Sequence, residues 1–130
     1  MKKTKKSNVV KKEVVQRLAR NITEMRKIVK ASPRTRRLIL KNGSGELIKC
    51  ISDSAVNVLK GHIPLTSCQY KALKRGKKYV RYLASQRPSI EKKRRVMIAH
   101  SNQKGSGFFI PLLTSVIPAI ISLIASRAKR

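Results

Sequence analysis

Tryptophan is absent and aromatic residues make up only 4% of the 130 residues, which excludes a large aromatic core. Acids are as scarce: Glu13, Glu24, Glu46, Asp53 and Glu91 are the only acidic side chains, against 32 lysines and arginines. With two histidines (His62, His100) and two cysteines (Cys50, Cys68), no motif pairs metal ligands, or a nucleophile with its base. No catalytic residue, metal or cofactor is expected, and the chain is not read as an enzyme. Two cysteines that form no close pair are too few to scaffold a secreted domain, so a reducing compartment is the default. Strand signals are nearly absent and no internal repeat is evident. No signal peptide opens the chain, because Lys11, Lys12 and Glu13 interrupt the apolar run that should follow the basic MKKTKK.

What is abundant is positive charge, a formal +27. Such a chain repels itself when compact, so it is expected to work neutralised by a polyanion. Residues 1–107 hold 29 of the 32 basic residues and all five acids, a net +24, while residues 108–126 carry no charge. The expected organisation is a basic N-terminal arm and helix (1–33), the arm partly disordered, then a small helical basic domain (34–100). A Gly/Ser hinge (101–107), a hydrophobic tail (108–126) and a basic end (127–130) follow.

The body reads as all-α. Val14, Leu18, Ile22, Met25 and Val29 mark one face of a helix within residues 9–31. Ser32-Pro33 is an N-cap followed by a favoured first helical residue, so Arg34 to Lys41 should form a second helix, stopped by Asn42-Gly43-Ser44-Gly45 with glycine available for a left-handed cap. From Glu46 to Lys60, Leu47, Ile48, Ile51, Ala55, Val58 and Leu59 form the clearest apolar stripe, ended by Gly61. Thr66-Ser67-Cys68-Gln69 fits a capping box opening a helix to about Gln86, with Leu73, Val80 and Leu83 inward and Gly76 a weak point. Ser89 caps a last basic helix, Ile90 to about His100. The core should centre on the 46–60 stripe packed against Leu73, Val80 and Leu83.

The basic clusters include Lys11 and Lys12; Arg34, Arg36 and Arg37; Lys71, Lys74, Arg75, Lys77, Lys78 and Arg81; and Lys92, Lys93, Arg94 and Arg95. A solvated protein face normally mixes both signs. Between Glu46 and Glu91 the single acid is Asp53, so nucleic acid or an anionic membrane is the natural counter-ion. Duplex DNA carries about one charge per 1.7 Å, so a body of this charge could neutralise roughly 40 Å of it. No zinc pair, recognition helix or stacking pair points to base reading, and phosphate binding without sequence preference is the expected mode. Lys92 to Arg95 could also serve in nuclear import.

The tail from Phe108 to Ala125, FFIPLLTSVIPAIISLIA, would be about 27 Å long as a helix, just short of a bilayer's hydrocarbon core. Phe108, Phe109, Ile110, Leu112, Leu113, Val116, Ile117, Ile120, Ile121, Leu123 and Ile124 are its candidate membrane residues. Pro111, Pro118, Thr114, Ser115 and Ser122 make it less apolar than a typical span. A tail anchor, a membrane-disrupting helix, and a buried hairpin or oligomer contact all fit; folding of the tail onto the body is the less favoured alternative, because no second apolar face on the body looks large enough to cover it.

A basic body, a Gly-rich hinge and a proline-containing apolar tail, here GSGFFIPLLTSVIPAIISLI, resemble the adenovirus core protein X family, precursors of the basic core peptide mu. The stretch IKCISDSAVNVLKGHIPLTSCQYKALKRGKKYVRYLA, Ile48 to Ala84, is similar to small basic proteins of Polinton (Maverick) transposons and adintoviruses. Its most specific parts are Asn57-Val58-Leu59-Lys60-Gly61 and the tail. The chain departs from mu in being rich in lysine where mu is dominated by arginine. The resemblance implies a DNA-condensing minor virion protein of a double-stranded DNA virus or virus-like transposon, located in the virion and host nucleus. Capsid proteins and a viral cysteine protease would be its partners beside double-stranded DNA. It also implies processing at Gly105, Ser106 and Gly107, where Gln103 stands in the usual apolar place; Lys41-Asn42-Gly43-Ser44-Gly45 has the same glycines with Lys41 there. The alternative reading is a tail-anchored protein of an intracellular membrane, its basic body facing anionic lipid or a cytosolic partner, each basic residue near such a surface contributing about 1 kcal/mol.

Overall fold

The computed structural model describes residues 12–101 and 107–128, and in these the chain forms seven helices and no strand. They are α1 (Lys12–Lys30), α2 (Pro33–Asn42), α3 (Gly45–Leu59), α4 (Ser67–Arg75), α5 (Lys77–Ala84), α6 (Ile90–His100) and α7 (Phe109–Ala128). The starts follow the expected chemistry. Ser32, Ser44 and Ser89 each accept the backbone N–H three residues on, and Thr66 and Gln69 make both bonds of the capping box. Asn57 belongs to the stop of α3: its carbonyl accepts the His62 N–H at 3.0 Å, its side chain reaches the Asp53 carbonyl and the His62 ring, and Gly61 takes a left-handed φ of 78°.

Two junctions differ from the sequence expectation. Gly43 does not adopt a left-handed cap; it is extended. It is glycine because a Cβ there would lie 2.6 Å from Leu47 Cδ2 and 2.9 Å from the Ile39 carbonyl. The single helix expected from Thr66 to about Gln86 is two, broken at Gly76. The cause is tertiary: Phe108 packs on that backbone, and a Cβ on Gly76 would lie 2.4 Å from Phe108 Cβ.

The main correction concerns the tail. Phe108, Phe109, Leu112, Leu113, Val116, Ile117 and Ile120 are buried in one apolar cluster with Leu18, Met25 and Ile28 of α1 and Leu47, Ile48, Ile51 and Ala55 of α3. Helix α7 runs against α1, α3 and α4, which together form the groove that no single helix displays. The expected division into arm, body and tail is therefore not kept among the described residues: α1, α3 and α7 share a core. Packing against both α3 and α7 also widens the stripe of α1, so that Val15 and Ile28 are buried and Val14, Ile22 and Val29 lie partly buried beside them. Leu59, expected inward, is 44% exposed at the end of α3. Ile110, Leu123 and Ile124 are half-buried and Ile121 is exposed.

The polar residues of α7 suit burial. Thr114 Oγ1 donates to the Pro111 carbonyl and Ser115 Oγ to the Leu112 carbonyl, so neither hydroxyl brings an unsatisfied donor into the core. Pro111 lies in the first turn, where a missing N–H costs nothing, and Pro118 lies inside the helix on its exposed side.

If α7 is a core helix, a chain ending at Ser106 should lose its cooperative thermal transition, with a fall in circular dichroism larger than the removed helix accounts for. Leu112→Ala should cost about 2–5 kcal/mol in urea denaturation. Gly76→Ala should destabilise the fold by displacing Phe108. A truncated chain that melts like the full one would show that the body folds without α7.

Candidate nucleic-acid interface

The cations fall into two groups, those that hold the fold together and those displayed on its surface. Arg36, expected to contact nucleic acid, belongs to the first. Its guanidinium donates to the carbonyls of Ile28 (2.8 Å), Ala31 (2.9 Å), Val29 (3.4 Å) and Ser101 (2.8 Å). It thus collects the unpaired carbonyls at the end of α1 and ties them to the end of α6. Burial pushes its pKa down, but a guanidinium remains charged.

Lys93 and Arg94 are withdrawn in the same way. Lys93 is buried and donates from Nζ to Ser52 Oγ at 2.7 Å, while Ser52 donates to the Leu83 carbonyl. Burial lowers its pKa, opposed by Asp53 and reinforced by Lys49. Arg94 donates to the carbonyls of Leu40 (2.8 Å) and Gly43 (2.7 Å), closing the end of α2, and pairs with Glu91. The run 92–95 is therefore no continuous basic cluster: only Lys92 and Arg95 are exposed.

The acids are spent on structure. Asp53 pairs with Arg17, Glu46 with Arg20 at 3.0 Å, Glu24 with Lys27 at 3.4 Å, and Glu91 with Arg94 at 3.1 Å. Hydrogen bonds from Asn21 and Arg20 hold the Glu46 carboxyl below its ordinary pKa. The first two pairs join α1 to α3, and Cys50 donates its thiol to the Arg17 carbonyl beside them. Burial and the nearby Asp53 and Glu46 push that thiol up to about 12, which makes Cys50 a packing residue and not a nucleophile.

The remaining cations face water. Lys71, Lys74, Arg75, Lys77, Lys78 and Arg81 are all exposed on α4 and α5, and no acid pairs with any of them among the described residues. The break at Gly76 gathers them on two short helices whose apolar residues, Ala72, Leu73, Val80 and Leu83, point into the protein. Lys74 lies 5.9 Å from the Tyr70 ring and Lys78 5.5 Å from that of Tyr79. A second exposed group comprises Lys12, Arg26, Lys27 and Lys30 on α1 with Arg34 and Arg37 on α2. Lys49, Lys60 and Arg87 are exposed cations that no sequence cluster marks. Lys11, Gly105 and Ser106 lie outside the described residues, as do the side chains of Arg127, Lys129 and Arg130; Gly107 is buried at the foot of α7. Among the described residues no group of His, Cys, Asp and Glu could hold a metal ion.

The arrangement offers many exposed cationic side chains on a helical frame, a surface that can bind phosphates, while the ring cluster of Tyr79, His100, Phe108 and Phe109 holds the start of α7 against α5 and α6. No family model, no curated protein and no solved structure matches this chain.

The two groups of cations should separate in binding assays. Lys93→Met should leave DNA affinity unchanged while raising or preserving the melting temperature, because it removes a buried charge whose acceptor keeps another partner. Lys92→Gln with Arg95→Gln should weaken binding without altering stability. Fluorescence anisotropy on labelled duplex, with a thermal melt of each variant, checks both.

Proposed function

We propose that this chain binds duplex DNA through its phosphates, without reading sequence, as a condensing core protein that accompanies a packaged genome. The observation that carries this reading is the α4–α5 surface: six exposed cations within eleven residues, with no paired acid among the described residues, on helices fixed by a packed core. Helix formation sets those charges on a small frame, where binding to a rigid polyanion releases counter-ions at little further cost in chain entropy. The resemblance to the adenovirus core protein X and Polinton basic proteins supports the genome-associated role, in virion and nucleus, and the cysteine protease as a partner. Cleavage at Gly105-Ser106-Gly107 would nick the chain yet leave the buried face of α7 in its groove.

A second reading, in which α7 enters a membrane, is supported by the segment Phe109–Ser126, which is long and apolar enough to cross a bilayer. It requires the buried side chains from Phe109 to Ile120 to leave the core. Retention of the full chain in the membrane pellet after carbonate extraction favours it over the first.

The logarithm of the DNA association constant should fall linearly with the logarithm of salt concentration. Replacing Lys71, Lys74, Arg75, Lys77, Lys78 and Arg81 by glutamine should flatten that slope by about 5, since each neutralised phosphate contributes about 0.9. Competitor duplexes of different sequence should displace labelled DNA equally. A flat salt dependence, or strong preference for one competitor, overturns the reading.

A further inference from the structure

We infer that one molecule presents two separate DNA-binding surfaces and bridges two duplex segments; this rests on the DNA-binding reading and states how condensation would follow from it. The basis is the order of packing. Helix α3 packs on α1 and on α5, and α7 packs on α1 and on α4. Neither α1 nor α2 packs to any extent on α4 or α5. The pair α3–α7 thus lies between α1 and the α4–α5 pair, with α2 packed beyond on α1, while α6 packs on α2, α3 and α5 and borders both sides.

Both outer layers carry exposed cations around a shallow cleft. On the first side a cleft of about 440 Å³ is lined by Thr23, Arg26, Lys27, Lys30 and Thr35, with Arg34 and Arg37 exposed on the same helix pair. On the second, a cleft of about 340 Å³ between α4 and α7 is lined by Gln69, Lys71, Arg75 and Thr114. Lys74, Lys77, Lys78 and Arg81 extend that surface along α4 and α5.

Packed helices lie about 8–10 Å apart, so with a layer between them the axes of the outer helices are separated by roughly 16–20 Å. That is about twice the screening length at physiological salt, and phosphates bound on one surface leave the potential of the other nearly intact. A single duplex could reach both surfaces only by wrapping sharply around a core of that width. Duplex DNA is stiff over about 150 base pairs, and bending it sharply over a short site is costly. Engaging a second duplex needs no bend. Asp53 and Glu46 pair with Arg17 and Arg20 at the α1–α3 seam and Glu24 pairs with Lys27 on the first surface, leaving Arg26, Lys30, Arg34 and Arg37 with no ion pair among the described residues.

The test uses the full chain and two 30-base-pair duplexes, one held on beads through biotin and one free and fluorescent. The wild-type chain should carry the fluorescent duplex onto the beads. Capture should rise and then fall as protein is added in excess, because saturated duplexes share no molecules. Two variants divide the surfaces: Lys71, Lys74, Arg75, Lys77, Lys78 and Arg81 changed to glutamine, and Arg26, Lys30, Arg34 and Arg37 changed to glutamine. All ten side chains are exposed, so both variants should stay folded and melt no lower than wild type, with relief of cation repulsion raising the melting temperature if it changes at all. Each should still bind a single duplex in anisotropy, and each should lose at least tenfold in capture. Undiminished capture by either variant, or capture that only increases with protein, overturns the bridge in favour of self-association. Absence of capture by a wild-type chain that binds one duplex also overturns it. Failure to bind even a single duplex sinks the underlying DNA-binding reading instead.

Discussion

The fold depends on the burial of one face of α7. Its side chains from Phe108 to Ile120 meet α1, α3 and α4 at once, and without it the inner faces of those helices would be open to water. Each fully buried Leu, Ile, Val or Phe is favourable by about 1.5–3 kcal/mol relative to exposure, before the cost of ordering the chain. That gain works against a formal charge of +27, which favours expansion. The body buries apolar residues of its own, from Val15 to Met97, and the uncharged segment adds Phe108, Phe109, Leu112, Leu113, Val116, Ile117 and Ile120 to the same cluster. The charge asymmetry along the sequence thus falls within one shared apolar core.

The shortage of acids shapes the polar interior in the same way. Four of the five acids make ion pairs, two of them at the α1–α3 seam. Backbone carbonyls serve as acceptors beside the few carboxylates: four for Arg36, and those of Leu40 and Gly43 for Arg94, which also pairs with Glu91. These groups are the open ends of α1, α2 and α6, which carry partial negative charge. Helix termini therefore take over part of the role that aspartate and glutamate play in proteins of mixed charge, and among the described residues most exposed cations other than Arg20 and Lys27 have no ion pair.

Much of this was legible in the sequence. Local chemistry set the helix starts, and Ser32-Pro33, the Thr66–Gln69 capping box and Ser89 each opened a helix where expected. The central stripe at Leu47, Ile48, Ile51 and Ala55, and its partners Leu73, Val80 and Leu83, are buried as read. What the sequence reading missed lay in contacts made by α7 and by the ends of neighbouring helices. Gly76 looked like a weak point inside a helix and is a seat for Phe108, thirty-two residues on. Arg36, Lys93 and Arg94 sat in basic runs like the others, and only the neighbouring helix ends distinguish them. The groove for α7 is assembled from three helices, so no periodicity within one segment announces it. Of the expected nucleic-acid residues, the 71–81 cluster is wholly displayed, because its helices are short and their apolar positions few.

Stability and binding are coupled through the same charges. Repulsion among the displayed cations lowers the stability of the compact state, and any ligand that binds the folded chain more tightly than the unfolded one returns it by mass action. A polyanion on one outer layer relieves mainly the repulsion within that layer, since the other lies beyond the screening length. Occupying both layers relieves both, and the packed core between them transmits little of the electrostatic cost from one to the other. If both surfaces bind DNA as proposed, the affinity of the second is nearly independent of the first, and the balance between coating one duplex and linking two would be set by the ratio of protein to DNA and not by a conformational change. The physical requirement for that behaviour is a core thick enough to separate two cationic layers, and in this chain the buried face of α7 helps to make it.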